Sequence, residues 1–243
     1  MSEAQDRLAH ARQSSLHQGP TSPKTSFTVL HSQWLFDAAW HEWRKCSRSA
    51  KNDPDARTDA AIVVVLLAAS ATEAFINELA YEIRTSRRGV AKPLPVLISL
   101  ANCIKECEDC RTSVAFKYLI ASQVLSGKAF DKGSKTFQNF KLLMDLRNEI
   151  VHVKEPDIIR YDESGNPEVK HKEVINTLKR RKLTRKPSSR EDFHWIYQIS
   201  SERIARWACK SAIGIIDAII EMLPDSSTKT NMHNIISMNE YKL

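Results

Sequence analysis

Arg147, Asn148 and His152 fall within six residues of one another in the run LMDLRNEIVHVK. Arginine grips a phosphate through a fork of charge-assisted donors, and histidine moves protons near neutral pH. On a helix, Asn148 and His152 stand four apart and share a face, so the amide can orient the imidazole or hold a phosphate oxygen. Arg147 lies about 140° round from His152 at 3.6 residues per turn, within the swing of its long side chain. Together the three form a minimal kit for phosphodiester chemistry. The plain alternative is a surface ion pair for Arg147 and a histidine that merely ends a helix.

A second polar pair stands upstream. Glu73 and Asn77 are again four apart, in the otherwise apolar stretch SATEAFINELA. Polar groups on a buried helix need partners. Arg147 and Asn148 are the expected ones, forming a polar layer inside the protein, with a purely structural network as the alternative.

A third feature is charge. Residues 170–190 hold nine Lys/Arg (Lys170, Lys172, Lys179, Arg180, Arg181, Lys182, Arg185, Lys186, Arg190) against the single acid Glu173, more than the +7 excess of the whole chain. This segment reads either as a solvated, mobile loop or as an electrostatic arm for an RNA or DNA backbone. As an arm, Lys179, Arg180, Arg181, Lys182, Arg185 and Lys186 are the expected RNA contacts. Because it follows the Arg147–His152 helix, it could deliver a polyanion there.

The elements that must position these residues read as helices. A loose polar arm is expected over 1–26 and one helical domain over 27–223, with a basic loop at 157–190 inserted before the last helix. A polar tail occupies 224–243. Within the domain, an aromatic-faced helix is expected from 27 to about 49, and a central helix, apolar nearly all round, from about 56 to 84. Further helices are expected over 96–126, from Thr136 to Pro156 and over 192–223. The fourth carries the stripe Leu142, Leu146, Ile150 and Val153. This is an all-α fold, a bundle of about five helices.

The same counts exclude other classes. With 6 glycines in 243 residues there is no G-x-G-x-x-G or Walker-type loop, and H-E-x-x-H and G-x-S-x-G are absent too. Cys103-x3-Cys107-x2-Cys110 has the bare spacing of a cluster-binding motif, yet the segment reads as helix, where those intervals put all three on one packing face. No metal and no cofactor is expected. The N-terminus does not read as a signal peptide, and the run Ala60 to Ala71 is short for a bilayer. Five cysteines without a secretion signal fit a reducing cytosol, so the expected location is cytoplasmic, with no membrane association.

The LRN-x-x-VH context of Arg147, Asn148 and His152 on a late helix, with Glu73 and Asn77 on an earlier one, resembles the HEPN superfamily of helical-bundle proteins over roughly residues 55–223. That resemblance implies a metal-independent endoribonuclease, often a toxin or abortive-infection effector in anti-phage defence, restrained by an antitoxin or another defence-system partner. It further implies a homodimer in which two motifs line one cleft. Arg147 and His152 would be catalytic, Asn148 a supporting polar group, and Glu73 and Asn77 second-line support. The tyrosine that some relatives carry two residues after the histidine, as a target of antitoxin modification, is Lys154 here. The alternative within the same family is a non-catalytic interaction module, or a nucleic-acid-binding subunit of a larger complex.

Overall fold

The segment AAIVVVLLAAS has apolar side chains on every side and neither glycine nor proline, so as a helix it requires neighbours all around. In the computed structural model of the protein, residues 31–53, 55–86, 94–152, 160–161, 167–168, 173–186 and 194–235 are described. This segment opens the long helix α2 (Ala60–Ser86), which follows α1 (His31–Ser49). After it come α3 (Pro95–Asp109), α4 (Val114–Ser126) and α5 (Lys135–Val151). A two-residue antiparallel pair, β1 (Arg160–Tyr161) with β2 (Pro167–Glu168), sets Arg160 opposite Glu168. The chain continues through α6 (Glu173–Arg180), α7 (Trp195–Ile199), α8 (Glu202–Met222) and α9 (Ser227–Ile235).

Helix α2 packs against α1, α3, α4, α5, α8 and α9. Val64, Val65, Ala68, Ala69, Phe75, Ile76, Leu79 and Ile83 are fully buried on it. By length and composition alone its 60–85 stretch could cross a membrane, but here it is the hub of a protein core. Helix α8 is the second hub. Its Ile204, Ala208, Ile215, Ile216 and Ile219 meet α2 and α5, and Ser201 caps it by accepting from the Ile204 amide at 3.4 Å.

Two connections run between hubs and periphery. The carboxylate of Glu78, on α2, accepts from the His31 amide at 2.6 Å and from the Ser32 amide and hydroxyl, so it closes the open end of α1. Glu202, at the start of α8, accepts from Trp43 Nε1 at 3.1 Å and from Arg206 at 2.9 Å, which ties α1 to α8.

The all-α expectation holds, but nine helices are present among the described residues where about five were expected. The 96–126 stretch breaks because Arg111 takes a left-handed φ of 52° and Ser113 caps a new helix by accepting from Phe116 N. The 192–223 stretch breaks at Ser200–Ser201, where the Ser200 carbonyl accepts from the Thr58 amide at 3.0 Å. The expected tail holds α9, whose Met232 is buried. The basic segment holds α6, with Ile175 and Leu178 buried, so the expected loop is in part an amphipathic helix. The expected arm over 1–26, Pro156 at the expected end of the fourth helix and the stripe residue Val153 lie outside the described residues.

Candidate functional site

Helix α5 begins at Ser134, whose hydroxyl accepts from Phe137 N at 3.3 Å, and it is anchored by Phe137, Phe140, Leu143 and Leu146. The Phe140 ring rests on Tyr118 at 4.6 Å between centroids. Tyr118 donates its hydroxyl to the Thr72 carbonyl at 2.9 Å, and burial pushes its phenol well above the ordinary range. The inner end of the helix is therefore rigidly set. Its outer end is exposed: Val151 is 49% accessible, and His152 is exposed as the C-terminal cap. The His152 amide still donates to the Asn148 carbonyl at 2.9 Å, so the last turn closes directly beneath the imidazole.

The motif residues stand together at this end. On a helical projection Arg147 leaves α5 about 40° from the core residue Leu143. The core stops there, and Arg147 is only half-buried. Its guanidinium turns outward and donates through Nη1 to Asn148 Oδ1 at 3.1 Å. Asn148 stands about 40° from His152 on the same projection, so the bond swings the cation toward the histidine face. Helix carbonyls left open at a C-terminus favour a cation such as Arg147. A guanidinium, an amide and an imidazole thus share one exposed helix end, a set able to hold a phosphate and exchange a proton with it.

The expected polar layer takes another form. Among the described residues no hydrogen bond joins Glu73 or Asn77 to Arg147 or Asn148. Asn77 Oδ1 instead accepts from Lys117 Nζ at 3.0 Å, and Lys117, only 3% exposed, is also paired with Glu108. The reason is placement: α4 presents an ammonium to the middle of α2, whereas the polar residues of α5 lie at its exposed terminus. Asn77 and Glu108 further line a cavity of about 260 Å³ with Arg84, Ile104 and Lys105. Sequence reasoning missed Lys117. The signal was one cation inside the apolar run VAFKYLIAS, where a buried lysine must find an acceptor and an acid.

The basic residues divide into two groups. Arg180 pairs with Glu173 at 2.8 Å and with the Thr177 hydroxyl at 2.9 Å, and Arg181 donates to Asn139 Oδ1 at 2.5 Å. Arg185 is 7% exposed, with its Nε donating to the Asp55 carbonyl and its amide to the Gln198 carbonyl, each at 2.9 Å. The guanidinium of this expected RNA contact is held at the edge of the fold through its Nε. Lys179, Lys182 and Lys186 form no ion pair among the described residues. They line a second cavity of about 550 Å³ together with Arg185 and Arg203.

The cysteine triplet is dispersed as its break dictates. Cys103 is half-buried, Cys107 buried and Cys110 exposed beyond the end of α3, all as free thiols. Among the described residues no cluster of three metal-ligating side chains occurs. His194 caps α7 by accepting from the Ile196 amide at 3.3 Å and lies against Trp195. Compared with protein-family models, curated proteins and solved structures, the chain matches none.

Proposed function

We propose that this protein is a metal-independent endoribonuclease of HEPN type that acts as a homodimer, with Arg147 and His152 as its catalytic pair. The observation that carries the reading is the bond from Arg147 to Asn148 at an exposed helix end one turn below His152. A histidine kept for packing would be covered; this one faces solvent beside an exposed Val151, where a second copy could dock.

Cleavage by the ribose 2′-OH needs a base for that hydroxyl and an acid for the departing 5′-oxygen. One protomer presents one imidazole at this site, and a two-fold pair presents two. Arg147 from each chain would hold the scissile phosphate and offset charge on the pentacoordinate transition state, with Asn148 fixing the guanidinium. The products are a 2′,3′-cyclic phosphate and a 5′-hydroxyl. Glu73, half-buried on α2, forms no hydrogen bond with the motif among the described residues and is proposed only as remote support. A cytoplasmic toxin or anti-phage effector restrained by a partner protein is the biological setting that this chemistry fits.

The test is cleavage of total RNA in excess EDTA by wild type, His152→Ala and Arg147→Ala. Cleavage by wild type alone, with cyclic phosphate ends, is expected. Equal cleavage by all three would remove the motif from the chemistry. Binding of RNA without cleavage, abolished by charge reversal at Lys182 and Lys186 but not by His152→Ala, would favour a nucleic-acid-binding subunit. Lys179, Lys182 and Lys186, which form no ion pair among the described residues, support that second reading.

A further inference from the structure

We propose that the cleft between the end of α6 and the start of α8 is a binding site for a terminal phosphate or pyrophosphate group. The inference is separate from the ribonuclease reading and stands whether or not Arg147 and His152 cleave RNA. The cleft has a volume of about 550 Å³, within the range of small-ligand pockets. Among the described residues five cations line it (Lys179, Lys182, Arg185, Lys186 and Arg203), and no carboxylate does.

Two of these cations are already committed. Arg185 is locked to the Asp55 carbonyl, and Arg203 is paired with the Asp55 carboxylate and donates to the Thr184 carbonyl at 3.2 Å. Its Nε is buried and has no acceptor among the described residues. The three lysine ammonium groups likewise have no partner among the described residues. Burial lowers the Lys179 pKa, as for a cation drawn from water without compensation.

The backbone supplies a separate observation. Helix α6 ends in a Schellman arrangement, with the Leu183 amide donating to the Leu178 carbonyl at 3.0 Å and the Lys182 amide to the Lys179 carbonyl at 2.9 Å. Lys182 therefore takes the left-handed position, at φ 57°, which glycine fills most readily. A lysine there is under mild backbone strain, and its amine has no partner among the described residues. Here it sets an ammonium at the mouth of a cationic cleft.

The ligand chemistry follows. A cluster of cations suits a dianionic phosphate end over a single diester. Two sources carry such a group: the 5′-phosphate of an RNA strand and the phosphate chain of a free nucleotide.

Titration calorimetry of the full chain with sodium pyrophosphate at low salt is the test. Wild type is expected to bind, with an affinity that falls as salt rises. The Lys182→Glu/Lys186→Glu double variant, altered only at exposed side chains, is expected to lose at least tenfold in affinity with its melting temperature kept. Lys182→Gly should melt at or above the wild-type temperature yet bind more weakly, because it relieves the strain and removes the charge. Two further titrations separate the sources. A 5′-phosphorylated oligonucleotide that binds more tightly than its 5′-hydroxyl form would assign the site to RNA ends, and ADP binding above both would assign it to nucleotides. Absence of binding by pyrophosphate, ADP and both oligonucleotides would overturn the proposal. So would an affinity unchanged in the folded double variant.

Discussion

Arg181 donates to Asn139 Oδ1 at 2.5 Å and so fastens the basic segment to the helix that carries the Arg147–His152 motif. The anchor sits eight residues before Arg147, about 12 Å along the axis at 1.5 Å per residue. Asn139→Ala removes the acceptor and is expected to cost about 1 kcal/mol, since Arg181 is half-buried and can recover a water partner. Amide hydrogen exchange should show faster opening of residues 173–181 with the rest of α5 unchanged. An equal loss of protection throughout the protein would mean that the bond supports the whole fold.

At the motif itself, Arg147→Lys is expected to recover no more than a small part of the activity lost in Arg147→Ala. A lysine keeps the charge but cannot both bond to Asn148 and present a planar fork to a phosphate. Loss of the general acid–base group in His152→Ala should reduce the rate by ~10²–10⁴-fold. Single-turnover cleavage rates compare the variants. Full activity in Arg147→Lys would mean that charge alone suffices and that the Asn148 bond is incidental.

Lys117 yields an ordered set of stabilities. Glu108→Ala leaves an ammonium that is 3% exposed with only the Asn77 carbonyl for company, and about 3 kcal/mol of destabilisation is expected. Lys117→Met keeps the apolar stem and frees Glu108, itself 57% exposed, to hydrate; it should cost about 1 kcal/mol or less. The double variant should fall near Lys117→Met. Urea midpoints would reveal the order, and a Lys117→Met loss larger than that of Glu108→Ala would contradict it.

Asp217 on α8 supplies a pH signature. Burial raises its pKa above the ordinary 3.8, nearby Glu221 adds to the rise, and His233 of α9 pulls the other way. A raised carboxyl binds its proton more tightly in the folded state, so stability falls as pH climbs above the unfolded value. Asp217→Asn removes that loss. The variant and wild type should match at pH 3, and the variant should be the more stable at pH 7. A constant difference at both pH values would point to packing as its origin.

The cysteines should separate by access. Burial pushes the Cys209 thiol up to about 12, and Cys46 is raised chiefly by burial as well. At pH 8 the Cys209 thiolate fraction is then ~10⁻⁴, whereas exposed Cys110 meets reagent freely. Iodoacetamide followed by peptide mass spectrometry should label Cys110 first and Cys209 only after unfolding.

The central helix could be read from the sequence because Val64, Val65, Ala68 and Ala69 lie in an uninterrupted apolar run. The motif helix could be read because Leu142, Leu146 and Ile150 keep one stripe. The breaks at 110–113 and 200–201 could not, since neither holds glycine or proline. Each is made by a serine cap, and one also by an arginine in a left-handed turn. In 173–180 the density of charge hid the spacing of Val174, Ile175 and Leu178, which is helical. Arg181 and Arg185 read as free charges because their acceptors, Asn139 and the Asp55 carbonyl, are 42 and 130 residues away in sequence. At the candidate site residue types were legible, and partners were not.

The carboxylate that closes α1 belongs to a residue 46 positions after Ser32. A local cap forms with its own turn; this one exists only after two helices have docked. The His31 and Ser32 amides are thus satisfied through a contact of high sequence separation. An excised 31–49 peptide should fray from residue 31 inward. In the intact chain, exchange of the His31 and Ser32 amides reports separation of α1 from α2, making this end of the molecule a native gauge of partial unfolding.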